Sequence, residues 1–427
     1  MIYMLLILLS LIFLFYFLLF KERLWFFHDS IEILLNSTNF SLNYLLLPHG
    51  EHFIPLTKLV FFVQFSLFGI NFTPYFVLSI FLHLANLYLL WLIVIEITKK
   101  HFFAYMAVIL FAVNVTFFEI ILWFVSQNLL CHFFISLAFL FWLKLRKKRN
   151  INFLLIAGLS SVGAAFSFGF GLLYPFVLAI LSSIDKKTNR KNALFFSILG
   201  LVSVLIYLFF AGQNLYVINK TPLTFQSIPD IIEFLYIGLV DGLVFRFFYA
   251  LFPTRFLAFN NILKPFLLIA ATVFLLLIFI LPSRKSKEKL IINIALIINI
   301  IYPYFMASLR RATISPGEAM AERYAYNPLF FLIIFLIYQF SLLKQRKGLK
   351  TFCCLFVLYI LTTQVLVFYK RAFIWTKQTI RNKLFFQQLS EKINSNSLEK
   401  NCKLPKGIKD KQEPCERYID LLKGRKF

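Results

Sequence analysis

The stretch Thr73–Thr98, TPYFVLSIFLHLANLYLLWLIVIEIT, decides the class of this protein. Its one charged residue, Glu96, lies close to its end, and His83 and Asn86 are the polar exceptions in its interior. As a helix rising about 1.5 Å per residue, such a run outreaches the ~30 Å hydrocarbon core of a bilayer. Comparable apolar runs recur from residue 2 to residue 369. At roughly 16 to 25 residues each, they exceed the ten-residue alternating strands of an outer-membrane barrel. With 60% hydrophobic residues and a mean hydropathy of +0.80, the chain is far more apolar than a soluble domain. The reading is an all-α polytopic membrane protein.

Working outward from this span, the apolar runs fall at 2–20, 73–98, 102–118, 124–143, 151–168, 170–184, 193–212, 265–282, 290–308, 328–343 and 351–369, about eleven crossings. The first lacks a basic start and a small-residue cleavage site and is too long for an ordinary signal-peptide core, so it reads as a retained span. Lys99 and Lys100, KLRKKR from Lys144, DKKTNRK from Asp185, RKSKEK from Arg284 and KQRKGLK from Lys344 all fall on one side of this alternation. By the positive-inside rule that side is the cytoplasm, which puts the N-terminus inside, as expected for a multi-pass protein of the cell's inner (plasma) membrane. The net charge of +25 is thereby a topology signal with lipid-headgroup contacts, and nucleic acid is not an expected partner. Before residue 370 only Glu96, Asp185 and Glu288 fall inside, while ten carboxylates fall outside.

The multi-span region is taken as 1–369, with 21–72 as a first outer loop. Residues 54–70 in that loop are short and carry Lys58 and Gln64, which suits a helix at the membrane surface. Residues 213–264 form a second outer segment, of which 228–256 reads as a re-entrant or surface hairpin. The basic polar tail, 370–427, is expected outside despite fifteen Lys and Arg residues, because long tails translocate largely regardless of charge. There Cys402 and Cys415 could pair in an oxidising compartment, whereas Cys131, Cys353 and Cys354 read as packing residues. An amphipathic helix is expected over Thr376–Glu391.

The chain has no P-loop, dinucleotide-binding glycine pattern, HExxH or CxxC, which leaves nucleotide hydrolysis and the common zinc sites without support. Ionisable residues inside spans are nearly confined to His83, Glu96 and His132, and the two histidines read as interhelical hydrogen-bonding groups. Polar chemistry instead gathers outside. Asp29 follows the first span closely, and His49, Glu51 and His52 stand within four residues of one another. Glu119 lies in FFEIILWFVSQ, and Arg310, Arg311, Glu318, Glu322, Arg323, Tyr324 and Tyr326 lie in RRATISPGEAMAERYAYNP. A carboxylate can deprotonate an acceptor hydroxyl, while guanidinium groups bind a phosphate leaving group through paired hydrogen bonds. Each residue has a plainer alternative: Asp29 as the cap of a helix starting at Ser30, Glu119 as a cap or ion-pair partner, Arg310 and Arg311 as headgroup anchors. His49, Glu51 and His52 are where a divalent metal would be held, without a recognised ligand spacing.

The first span with Asp29, HGEHFIPLTKLVFFVQFSLFGINFTPYFVLSIFLHLANLYLL, ILFAVNVTFFEIILWFVSQ and ERYAYNPLFFLI together resemble the GT-C superfamily of membrane glycosyltransferases, including protein O-mannosyltransferase-like enzymes. The likeness runs through residues 1–143 and again over 310–343. It implies that Asp29 is catalytic, that His52 and Pro55 open a surface helix, that Phe68–Asn71 make a turn, and that His83 and Asn86 mark the second span. It also matches Arg323, Tyr324, Tyr326 and Pro328 to an RYxYxP element. His28 stands beside Asp29 where many relatives carry a second acid, and Ile54 where they often carry Arg. The implied activity is inverting transfer of a sugar from a polyprenyl-phosphate donor to a hydroxyl of a glycan, lipid or protein at the outer membrane face. Asp29 would be the base, and Glu119 would orient the acceptor or support that carboxylate. Arg323 with Arg310 or Arg311 would hold phosphate, with Tyr324, His49, Glu51 and His52 around the donor. Competing expectations are a lipid-linked oligosaccharide ligase or polymerase, and a lipid-linked sugar transporter or flippase.

Overall fold

The computed structural model describes residues 2–20, 26, 30, 33–34, 37, 41–49, 52–112, 114, 120–121, 127–211, 227–245, 286–312, 315–342 and 347–394. These are overwhelmingly helical, with no strand among them. In chain order the helices are α1 (Ile2–Phe20), α2 (Leu42–Leu46), α3 (Pro55–Phe68), α4 (Phe72–Thr98), α5 (His101–Ala112), α6 (Gln127–Lys147), α7 (Ile151–Ala165), α8 (Tyr174–Ile184), α9 (Arg190–Ala211), α10 (Ile228–Tyr236), α11 (Lys287–Arg311), α12 (Tyr326–Leu342) and α13 (Lys347–Asn394). Five described helices are long and apolar enough to cross a membrane: Ile2–Phe20, Phe72–Thr98, Gln127–Lys147, Arg190–Phe210 and Lys287–Leu309. The chain is an all-α, multi-pass membrane protein. The expected span at 265–282 and the expected outer residues 246–264 lie outside the described residues, as do Cys402 and Cys415.

Local chemistry sets the breaks between helices. Gly69 takes φ 56°, a left-handed value that a residue without Cβ adopts readily, and so closes α3. Two residues later the Asn71 side chain accepts the backbone N–H of Thr73 at 3.2 Å and starts α4. Lys99, also left-handed at φ 59°, ends α4, and α5 begins at His101 after a two-residue link. Asn150 caps α7 through the N–H of Asn152 at 2.8 Å. Between α7 and α8 a 3₁₀ turn, Gly169–Gly171, folds back on the helix it follows. A Cβ on Gly171 would come within 2.0 Å of the Ala164 carbonyl oxygen, so that approach requires glycine.

Helix α12 is the centre of the bundle, buried along nearly its whole length, and it packs on α4, α5 and α11. By contrast α1 and α9 present broad apolar faces outward, for example Leu194, Leu201, Leu205 and Phe209, as a bilayer-facing helix does. The basic links converge on one end. There Arg146 pairs with Asp185, Lys147 with Glu96, and Lys187 with Glu288 at 2.8 Å. Arg149 Nε also donates to the Lys187 carbonyl at 3.3 Å.

One expectation changes. The helix over 54–70 forms, but Lys58 and Gln64, taken as the polar residues that would keep it at the surface, are buried. Its exposed stripe is apolar instead: Leu59, Val63 and Leu67, at i, i+4 and i+8. The reason is that Lys58 Nζ finds internal acceptors, the carbonyls of Tyr44 at 2.6 Å and of Leu47, and lies 4.4 Å over the Tyr44 ring. The expected last span, 351–369, and the first part of the expected tail, 370–394, lie on one helix. Helix α13 runs from Lys347 to Asn394 without interruption, including the expected Thr376–Glu391 helix, because no Gly or Pro occurs from Leu349 to Asn394.

Candidate functional site

A polar knot in the bundle centres on a single backbone oxygen, the carbonyl of Ala112 at the end of α5. It accepts the Tyr16 hydroxyl of α1 at 2.8 Å and meets His83 Nε2 of α4 at 2.9 Å. A helix leaves its last carbonyls without intrahelical partners, so side chains from two other helices fill that vacancy in the ladder. The other ring nitrogen, His83 Nδ1, lies 2.8 Å from the Tyr326 hydroxyl at the start of α12. Asn86, nearly one turn further along α4, donates to Tyr326 Oη at 3.3 Å and to the Leu129 carbonyl of α6 at 3.2 Å. Five helices, α1, α4, α5, α6 and α12, are thus tied at one level. His83 has the interhelical role expected of it.

Beside this knot lies a second polar layer on α6 and α12. His132 packs its ring 4.9 Å from that of Tyr326 and meets Ser136 Oγ at 3.1 Å. Asn327 lies next to His132 without closing a hydrogen bond to it. Asn128, Gln127, Asn86, His132 and Asn327 are all buried.

The turns before α12 bring together part of the arginine-rich stretch. Arg323 Nη2 donates to Glu318 Oε2 at 3.0 Å, and its guanidinium lies 5.2 Å from the Tyr324 ring centroid. Tyr324 is buried, packed 6.2 Å from Phe234 of α10, so the amphipathic segment after Ser227 braces this loop. Arg323 is 26% exposed, a fixed and reachable cation of the kind that binds phosphate oxygens. Arg311, on the last turn of α11, is half-buried. Arg310 precedes it there, its side chain lying outside the described residues.

The segment before α3 holds a different group. His49 and His52 exchange backbone hydrogen bonds at 2.8 and 3.0 Å, a tight turn that delivers the chain to Pro55. The His52 ring packs 4.5 Å from Phe168, while Thr57 Oγ1 donates to the Ser167 carbonyl at 2.9 Å and the Leu56 N–H to that of Phe166 at 3.1 Å. Helix α3 is therefore seated on the α7–α8 turn. At this junction burial pushes the Lys58 ammonium down to about 8.

Asp29, Glu51 and Glu119 lie outside the described residues. Among the described residues no group of three His, Cys, Asp or Glu side chains could hold a metal ion. Arg323 joins Glu318 and Tyr324, and His52 joins the α7–α8 turn, with His49 tied to His52 through the backbone. Sequence reasoning missed Tyr16, Asn128 and Asn327. Asn327 sits inside the quoted YNP, and Asn128 follows a glutamine at the head of an apolar helix, where a polar pair is the available signal.

No family model matches this chain, no curated protein matches it significantly, and no solved structure does.

Proposed function

We propose that this chain is a GT-C-type glycosyltransferase of about eleven crossings in the plasma membrane, with a cytoplasmic N-terminus. It takes a sugar from a polyprenyl-phosphate donor and moves it, with inversion, to an acceptor hydroxyl at the outer face, in cell-envelope glycosylation. The observation that carries this reading is the Ala112 knot. Four stretches on which the family resemblance rests are far apart in sequence, yet Tyr16, His83 with Asn86, Ala112 and Tyr326, one or two from each, meet within hydrogen-bond distance. Motifs that share one structural centre behave as parts of one machine. Convergence of the basic links on the opposite end of the same helices supports the proposed orientation.

In this reading Asp29 deprotonates the acceptor, and Glu119 orients the acceptor or supports that carboxylate. Arg323, aided by Arg310 or Arg311, neutralises the departing phosphate. Tyr324, His49, Glu51 and His52 line the approach. The test is a transfer assay with purified protein and defined polyprenyl-phosphate sugars. Asp29→Asn is expected to abolish transfer while leaving the protein folded, and full activity in that variant would sink the proposed base. Tolerance at Asp29 combined with loss at Arg323 would point to a lipid-linked oligosaccharide ligase. Movement of labelled lipid-linked sugar across a vesicle without a new glycosidic bond would point to a flippase.

A further inference from the structure

The buried layer beside Tyr326 carries more hydrogen-bonding capacity than the protein uses. Asn86 Oδ1, Asn128 Oδ1, His132 Nδ1 and both side-chain polar atoms of Asn327 are buried without a partner. They belong to three neighbouring helices. Asn128 and His132 are four residues apart on one face of α6, His132 borders Asn327, and Asn86 reaches both Tyr326 and the α6 backbone. Leaving a polar group buried and unpaired costs about 1–3 kcal/mol, so this layer has hydrogen-bonding capacity to offer a polar occupant.

The chemistry of the set narrows the occupant. None of the four side chains bears a fixed charge, which disfavours a phosphate. The Asn327 amide offers a donor among acceptors, which disfavours a bare cation. Hydroxyl groups both donate and accept and fit a mixed neutral set. The layer begins on the first turns of α6 and α12, four residues beyond Arg323. The geometry points to a recognition site for the sugar of the lipid-linked donor, with Asn86, Asn128, His132 and Asn327 reading its hydroxyls while the phosphate stays with Arg323. This rests on the proposed glycosyl-transfer reading and adds to it the residues that select the sugar.

The test measures thermal stabilisation of the full-length protein in detergent by a short-chain prenyl phosphate and by the same prenyl phosphate carrying a hexose. Wild type is expected to be stabilised by both, and several degrees further by the sugar-bearing lipid. Asn128→Leu and Asn327→Leu, tested separately so that one misfolded variant does not decide the matter, are expected to keep the prenyl-phosphate shift and lose the sugar increment. A retained increment in a folded variant overturns the site. So does a wild type that responds equally to both lipids, the result expected if only water fills the layer. A wild type that responds to neither lipid overturns the glycosyl-transfer reading as well.

Discussion

Tyr326 gives the residue scale its clearest case, since one buried hydroxyl serves both His83 and Asn86. Tyr326→Phe removes a single oxygen and leaves two buried partners short, so a loss of about 1–3 kcal/mol is expected in a denaturant or thermal titration. Arg323→Ala should lower kcat/KM by roughly 10- to 100-fold with any active polyprenyl donor, the worth of a charge-assisted hydrogen bond to phosphate. Lys58 makes a pH-dependent prediction. Its ordinary 10.5 falls to about 8 in the fold, so between those values the unfolded chain binds the proton more tightly. Stability contributed there is therefore full above about 10.5, declines as pH falls towards 8, and is flat below. Lys58→Met should flatten the rise in stability of wild type between pH 8 and 10. The inward position of Lys58 was not legible in the sequence: a lysine in a short apolar segment reads as an anchor to water, and only the folded chain supplies the carbonyls of Tyr44 and Leu47.

At the scale of elements, legibility was high wherever length and apolarity alone decide. The described helices over 2–20, 72–98, 127–147, 190–211 and 287–311 follow their expected spans closely, because burying a backbone in lipid leaves no alternative to satisfying its hydrogen bonds along the helix. Ends were less legible, being set by caps such as Asn71 and by the return of Gly171 onto Ala164. Gly171→Ala places a methyl against a backbone oxygen that has nowhere to move. It is expected to cost about 1–3 kcal/mol and to loosen α3, which is seated on the same turn, as read by faster proteolysis or hydrogen exchange of residues 52–68. The long helix α13 escaped a reading based on composition, since a change from apolar to basic residues alters the surroundings of a helix without ending it. The candidate site was legible in its residue types, which drew attention to Arg323 and His83, but the neutral asparagines beside them carry no charge to mark them.

For the whole molecule, one end of the bundle is bound by ion pairs between links that are distant in sequence, and the Arg146–Asp185 pair within it is almost fully enclosed. Removing one member of such a pair leaves the other charge buried alone, so Arg146→Ala should cost about 3–5 kcal/mol, visible as reduced yield and a lower melting temperature. Because exposed Lys148 lies at that end and exposed Ser315 lies in the turn between α11 and α12, single cysteines at the two positions should react with a membrane-impermeant reagent from opposite sides. Ser315→Cys is the one expected to label in intact cells, and labelling of Lys148→Cys instead would reverse the orientation.

The double hold on the Ala112 carbonyl has a mechanical consequence. Helix α5 ends where Tyr16 and His83 grip it, and the chain then passes into the segment containing Glu119. A sideways shift of α1, whose outer face is broadly exposed, would pull on that oxygen and so on the end of α5. The first helix is thereby a lever whose outer surface faces lipid and whose inner surface holds the end of α5, so a change in the bilayer around α1 has a direct route to the Ala112 carbonyl.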